Sequence, residues 1–161
     1  MKYRWGLIFI LVCFNFLLWT IIWRVTPTGE LSVAFLDVGQ GDSILITAPN
    51  GNQLLIDGGP DRGVLRSLGS VMPFFDRSLD LVMASHPDMD HIGGLPTIFE
   101  SYEVLGFMEP SFKAETNVYK KLQTSVRDEG ATHFLARPGA RIKLSSSVEL
   151  EILEAKPATW G

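Results

Sequence analysis

Cysteine, histidine and basic runs are all scarce in this chain of 161 residues. Cys13 is the single cysteine, which excludes an intramolecular disulfide and leaves the redox compartment open. The formal net charge is −4, and no Lys/Arg-rich block occurs, so the sequence offers no basic arm for nucleic acid. Only three histidines are present, and two of them fall within the seven residues 85–91.

The hydrophobic residues are concentrated near the N-terminus. Residues 5–23, WGLIFILVCFNFLLWTIIW, contain no charged side chain. Nineteen residues at helical rise cover roughly 28 Å, about the thickness of bilayer hydrocarbon. The run ends in Trp-Arg-Val-Thr-Pro, without the small residues of a cleavage site, and no small residue precedes Cys13. These features favour an uncleaved anchor over a cleaved signal peptide or a lipid-modified cysteine.

We therefore predict a transmembrane anchor over residues 1–25 and a short linker over residues 26–30. Lys2 and Arg4 precede the apolar run, whereas only Arg24 follows it closely. This small bias predicts a single-pass membrane protein with its N-terminus inside and its domain outside the cytoplasm.

The patterns over residues 31–161 are those of a folded α/β domain. "LSVAFLDV", "DSILITA" and "QLLIDGG" are β-rich and are separated by "GQG" and by the turn signal "NGN", which predicts three antiparallel strands. Further along, predicted helices in "RGVLRSLGSVM", "GGLPTIFESY" and "NVYKKLQTSVRDEG" alternate with predicted strands in "LDLVMAS", "VLGFM" and "THFLA". "ARIKL" and "VELEILE" predict two later strands. Such alternation is typical of helices covering a mixed sheet.

The stretch "SHPDMDH" directly follows the predicted strand "LDLVMAS" and is the chain's main chemical signal. It supplies four candidate metal ligands: His86, Asp88, Asp90 and His91. Neighbouring carboxylates repel each other, and a divalent cation removes that cost. Imidazole and carboxylate both suit Zn²⁺, Mn²⁺ or Fe²⁺. Because adjacent residues in an extended loop point apart, we predict two ions, with one ligand pair for each.

Other site types fit these residues poorly. An EF-hand would need a later glycine and a glutamate at the twelfth position of the loop. The segment "GQGDSI" has Ile44 where a dinucleotide-binding fingerprint requires glycine. Ser43 and Ser85 lack the GxSxG context of a serine hydrolase.

The segment "HPDMDHIGGL" resembles the HxHxDH signature of the metallo-β-lactamase fold, with Asp88 in the position of the second histidine. Together with "FLDVGQGDSILI" and "LLIDGG", it resembles the extracellular metallo-β-lactamase-like domain of ComEC-type competence proteins. The resemblance implies an αββα sandwich with two divalent ions, Zn or Mn, and a metal-activated hydroxide as nucleophile. His86 and Asp88 would hold the first ion, and Asp90 and His91 the second. The oxygen ligand Asp88 favours Mn²⁺.

The same resemblance implies roles for residues outside the ligand set. Asp57 would lie beneath the metal loop and orient the ligands, although its glycine neighbours also fit a plain turn. Asp42 either lies near the metals or caps the "GQG" turn. Asp90 is the candidate catalytic residue. His133, isolated in a strand-like run, is more typical of a structural histidine.

After His91 no motif matches the further ligands that the resembled fold takes from its second half. We therefore expect an incomplete domain that comprises the N-terminal half to two-thirds of the sandwich. The predicted function is metal-dependent hydrolysis of phosphodiesters, such as DNA during uptake. The alternatives are hydrolysis of another ester, such as cell-wall phosphocholine, a thioester or a lactam, and a degenerate, non-enzymatic anchored half-domain.

Overall fold

The computed structural model describes residues 2–25, 29–111 and 114–155. Its first element is α1, Lys2–Val25, and the window Trp5–Ile22 has a mean hydropathy of 2.3 with none of its residues buried. By length and composition this helix is able to cross a membrane. Most of the predicted linker, residues 26–28, and the C-terminal residues 156–161 lie outside the described residues.

The domain is built on a six-stranded sheet in the order β1-β2-β3-β4-β5-β6. The first three strands, β1 (Ser32–Phe35), β2 (Ile44–Thr47) and β3 (Gln53–Ile56), pair antiparallel as the sequence predicts. Gly51 closes the β2–β3 turn with a φ of 93°, a conformation that glycine adopts without a steric penalty. The structure thus confirms the three predicted antiparallel strands and the predicted turn at "NGN".

The other three strands of the sheet, β4 (Ser78–Met83), β5 (Glu103–Pro110) and β6 (Thr132–Ala136), run parallel to one another, and β4 is parallel to β3. The connections between them hold α2 (Gly63–Val71), α3 (Met89–Ile92), α4 (Leu95–Phe99) and α5 (Asn117–Glu129). Thr116 caps α5 by accepting a hydrogen bond from Tyr119 N at 3.3 Å, and Gly130 ends the helix with a φ of 76°. The predicted helices and strands are thus confirmed in this part of the chain.

Neighbouring residues of the central strands face two separate cores. Leu55 and Val82 pack under the helices, whereas Leu54 and Leu81 pack against a second, two-stranded sheet. That sheet consists of β7 (Arg141–Lys143) and β8 (Glu149–Glu151). Helices, large sheet and small sheet form the first three layers of the predicted αββα sandwich. Burial on both faces explains why consecutive apolar residues occur in the central strands, as at Leu54–Leu55 and Leu81–Val82.

Candidate metal centre

The candidate centre lies at the edge of the large sheet where β3 and β4 end. The two strands are parallel, with Ile56 opposite Met83, so the residues that follow them emerge side by side. Asp57 follows β3, and Ser85 and His86 follow β4. The chain then enters α3, which carries Asp90 and His91 back toward the same edge.

Asp57 is held rigidly at this edge. Its N–H donates to Met83 O at 2.8 Å, and its carbonyl accepts a hydrogen bond from Ser43 Oγ at 2.9 Å. Its φ of 59° is left-handed, a conformation uncommon for residues other than glycine but tolerated by aspartate and asparagine. The side chain is almost fully buried, with 4% of its surface exposed. The backbone and burial therefore fix the position of one carboxylate.

The Asp57 carboxylate accepts hydrogen bonds from residues 85–91, the segment that carries the candidate metal ligands. Ser85 N donates to its Oδ1 atom at 2.8 Å, and Ser85 Oγ donates to its Oδ2 atom. His91 Nδ1 lies 3.0 Å from the same Oδ2 atom. An ionised carboxylate only accepts, so Nδ1 of a neutral His91 carries the hydrogen and Nε2 keeps its lone pair.

Ser85 determines in a similar way which ring nitrogen of His86 carries the hydrogen. Its hydroxyl has one hydrogen, which is donated to Asp57, and His86 Nδ1 lies 2.8 Å from Ser85 Oγ. His86 Nδ1 is therefore the donor in that contact, which leaves His86 Nε2 unprotonated as well. This role of Ser85 is not predictable from the sequence, since a serine beside the cluster has no distinctive spacing.

His86 and His91 lie against each other, with ring centroids 3.7 Å apart and an interplanar angle of 48°. Each of these histidines and Asp57 offers a ligand atom, and the three atoms lie within 4.8 Å of one another. Two imidazole nitrogens and one carboxylate oxygen are a ligand set for Zn²⁺, Mn²⁺ or Fe²⁺. The residues present thus fit a divalent cation.

Two half-exposed aspartates flank the histidines. Asp88 Oδ2 lies 3.5 Å from His86 Nε2, and Asp90 Oδ2 lies 3.9 Å from His91 Nε2. Each aspartate therefore lies beside the nitrogen that the hydrogen bonds leave unprotonated. The structure brings together the pairs named from the sequence, His86 with Asp88 and Asp90 with His91. It also places a carboxylate oxygen of Asp57 within 4.8 Å of a ring nitrogen of each histidine. The number of ions and the assignment of ligands to each remain predictions.

Asp42 contributes to this region through its backbone. Its side chain is exposed, and its carbonyl accepts a hydrogen bond from Gly59 N at 3.1 Å. The neighbouring Gly41 has a φ of 100°, and a Cβ atom there would lie 1.9 Å from Asp90 O. The "GQG" turn is therefore packed against the backbone of α3, and a side chain at position 41 would displace Asp90.

A second polar cluster lies where β5, α5 and β6 meet. The buried Glu109 Oε1 atom accepts hydrogen bonds from Tyr119 Oη at 3.2 Å and Gln123 Nε2 at 3.0 Å, and it lies 3.0 Å from His133 Nε2. Burial raises the pKa of Glu109, and burial together with the Glu109 charge raises the pKa of Tyr119 to about 12. His133 is thus paired with a buried carboxylate.

A cavity of about 500 Å³ opens beside the metal centre, between the two sheets. Ser85, His86, Glu151 and Glu154 supply its polar lining. Its remaining lining is largely apolar and includes Ile56, Met83, Pro110, Ala136, Ile142 and Ile152. A substrate placed at His86 would therefore have an apolar wall beside it.

Comparison with known proteins identifies the family. Residues 36–158 match the Metallo-beta-lactamase superfamily, and the chain belongs to it. "Recombination protein 2" of Haemophilus influenzae is 35% identical over 123 residues, which are 74% of this chain and 15% of that protein. "ComE operon protein 3" of Bacillus subtilis is 32% identical over 124 residues, 64% of this chain and 16% of that protein. The chain thus spans about a sixth of either relative.

Solved structures support the same fold. The Rm3 metallo-β-lactamase has a TM-score of 0.51 and 19% sequence identity, over 74% of this chain and 47% of that one. A metallo-β-lactamase of Cronobacter sakazakii has a TM-score of 0.50 and 17% identity, over 70% of this chain and 46% of that one. At these identities the likeness concerns the fold alone, and it confirms the metallo-β-lactamase sandwich expected from the sequence.

Proposed function

We propose that this chain is a membrane-anchored, metal-dependent hydrolase of phosphodiesters that acts on DNA during uptake. The observation that carries the proposal is the arrangement of His86, His91 and Asp57 within 4.8 Å of one another. If both histidines are neutral and carry their hydrogens on the Nδ1 atoms that face Ser85 and Asp57, both Nε2 atoms are available as ligands. A relative named for recombination, a process that acts on DNA, supports the choice of substrate.

A bound cation would supply the positive charge that the chain lacks. With a net charge of −4, the protein has no general attraction for a phosphate backbone. When bound, a divalent ion would supply Lewis-acid chemistry for the hydrolysis of a phosphodiester. His86, Asp88, Asp90 and His91 would hold it, and Asp57 would orient the histidines.

The remaining chemistry falls to residues of the chain. Asp57 keeps both imidazoles in one tautomer through its contacts with Ser85 and His91. Asp90, whose side chain is 38% exposed, would hold a proton taken from the attacking water. The largely apolar cavity beside His86 would limit how much bulk water reaches the substrate.

The test is hydrolysis by the intact chain in phospholipid nanodiscs. Single-stranded DNA and bis(p-nitrophenyl) phosphate are incubated with Mn²⁺ or Zn²⁺, and Asp90→Ala is compared with Asp128→Ala, which removes an exposed aspartate of α5. We expect Asp90→Ala to lower the rate at least 100-fold and Asp128→Ala to leave it unchanged. Metal binding without cleavage of either substrate would contradict the proposal and support the non-enzymatic alternative.

We also propose that α1 is a single-pass anchor that places the domain outside the cytoplasm. The exposed apolar window Trp5–Ile22 and the excess of basic residues before it support this topology. Asp128→Cys, an exposed position of the domain, is expected to react with a membrane-impermeant maleimide in intact cells. Labelling only after the cells are broken open would show the opposite topology, with the domain inside the cytoplasm.

A further inference from the structure

An exposed apolar loop follows α2. Phe74 is 83% exposed, Val71 48% and Phe75 40%, and the two phenylalanine rings pack edge to face with centroids 5.1 Å apart. Met72 instead turns into the core, which anchors the loop. We call residues 71–75 the aromatic tip. Contiguous apolar side chains presented to solvent on a rigid loop are typical of a surface that meets another apolar phase.

The aromatic tip lies at the end of the sheet where β1, β3 and β4 begin, which we call this edge of the sheet. Across the first three strands, Ser32 pairs with Thr47, which pairs with Gln53. Gln53 N donates to Asp80 Oδ2 at 2.7 Å, and Gln53 Nε2 donates to Asp76 Oδ2 at 3.0 Å. The start of β1 and the loop that enters β4 are therefore joined along one edge, three strand spacings or about 14 Å apart.

The same edge is tethered to α1. Seven peptide steps separate Val25, the last residue of α1, from Ser32, the first residue of β1 (32 − 25 = 7). Fully extended, these steps span about 25 Å. Leu31, directly before β1, adds another exposed apolar side chain at this edge. The start of β1 is therefore within about 25 Å of the end of α1, and the tip lies about 14 Å from that start.

We propose that the aromatic tip inserts into the bilayer that α1 crosses, as a second membrane contact. The inference rests on the proposed membrane span of α1. Burying Phe74 and Phe75 among the lipid chains removes apolar surface from water, in the manner of interfacial membrane anchors. The insertion needs no anionic lipid, since the apolar side chains are its basis.

The inserted tip would fix how the domain stands on the membrane. The candidate metal centre follows β3 and β4 at the opposite edge of the sheet, beyond the length of β4. Six residues of strand separate the two edges by about 20 Å. The metal centre would therefore face away from the bilayer and receive its substrate from the aqueous phase.

The experiment measures the depth of spin labels in the intact chain, reconstituted in phosphatidylcholine nanodiscs. Labels are placed at Phe74→Cys and at Phe35→Cys, each in a Cys13→Ser background, and at the native Cys13 of the unsubstituted chain. Phe35 is a matched control because it is 80% exposed and pairs with Ile44 at the metal edge of β1. Collisions with oxygen and with a water-soluble nickel chelate report whether each label lies in lipid or in water.

We expect the label at position 74 to be several times more accessible to oxygen than to nickel, and the label at position 35 to show the reverse. A label at Cys13 in lipid with position 74 in water would overturn the inference and leave the membrane span intact. Lipid signals at both 74 and 35 would overturn it too, since the contact would not be specific to one edge. A label at Cys13 in water would overturn the span and the inference together.

Discussion

His91 Nδ1 lies 3.0 Å from Asp57 Oδ2, although 34 residues separate them in the chain. The contact joins the turn after β3 to the short helix after β4. It sets the imidazole tautomer, and it offsets the cost of burying the Asp57 carboxylate. The packing of these two loops therefore determines how the His91 imidazole is oriented toward a metal ion.

Replacing Asp57 with Asn should weaken metal binding without unfolding the domain. Asparagine tolerates the left-handed backbone at φ 59° and is isosteric with aspartate, but it carries no negative charge for the ion or for His91. We expect the affinity for Zn²⁺ to fall about 10–100-fold in competition titrations with a chelator. Asp42→Asn changes an exposed carboxylate nearby and should leave the affinity unchanged. Equal affinities for the two variants would contradict the role given to Asp57.

Two glycines of the "GQG" turn allow a matched test of close packing. Both have positive φ, 78° at Gly39 and 100° at Gly41, but only Gly41 lies against the backbone of Asp90. Gly39→Ala should cost about 1–2 kcal/mol for its backbone conformation alone. Gly41→Ala should cost clearly more and also weaken metal binding, although it removes no ligand. Thermal unfolding and a Mn²⁺ titration measure the two effects, and similar melting temperatures would refute this account of the turn.

The buried Glu109 should make the stability of the domain depend on pH. Burial raises its folded-state pKa above the ordinary value of 4.5, so the unfolded chain releases this proton first as the pH rises. The contribution of Glu109 to stability is therefore complete below about pH 4.5 and declines as the pH rises through the raised pKa. Glu109 Oε2 is buried without a hydrogen-bond partner among the residues that the structure describes.

Glu109→Gln should remove that decline, because the amide does not ionise. The difference in melting temperature between the wild type and the variant is expected to shift by a few degrees between pH 4.5 and pH 7.5, in favour of the variant at the higher pH. Glu100→Gln, at an exposed residue that pairs with Lys121, serves as the control and should change little. A difference that is independent of pH would show that the carboxyl titrates as it does in the unfolded chain.

The boundaries of the elements were predictable because they depend on local chemistry. Glycine at position 51 suits the positive φ of the β2–β3 turn, Pro73 follows the end of α2, and Gly130 ends α5 in the left-handed conformation. The alternation of Leu54 and Leu55 between two cores was also implicit in the apolar run "QLLI". These features need no knowledge of distant contacts.

The arrangement of the candidate centre was only partly predictable. The spacing of the cluster favoured an extended loop in which His91 and His86 point apart. The chain instead forms a helical turn at Met89–Ile92, and the two rings come within 3.7 Å. The contacts that stabilise this turn, from Asp57 and from the backbone beside Gly41, come from segments at least 34 residues away (91 − 57 = 34). The contacts of Ser85 and Glu109 were not predictable for the same reason, since packing alone gives these residues their partners.

Asp88 provides the test of metal preference. Its Oδ2 atom lies 3.5 Å from His86 Nε2, in the position where the family signature has a second histidine. Oxygen ligands favour Mn²⁺ over Zn²⁺ relative to imidazole, so Asp88→His should raise the affinity for Zn²⁺ relative to Mn²⁺. A tenfold change, about 1.4 kcal/mol, is resolvable by competition with a chelator of known affinity. Asp88→Asn keeps an oxygen ligand but removes its charge, and should weaken the binding of both ions. If Asp88→His left the ratio of affinities unchanged, Asp88 would lie outside the ligand set.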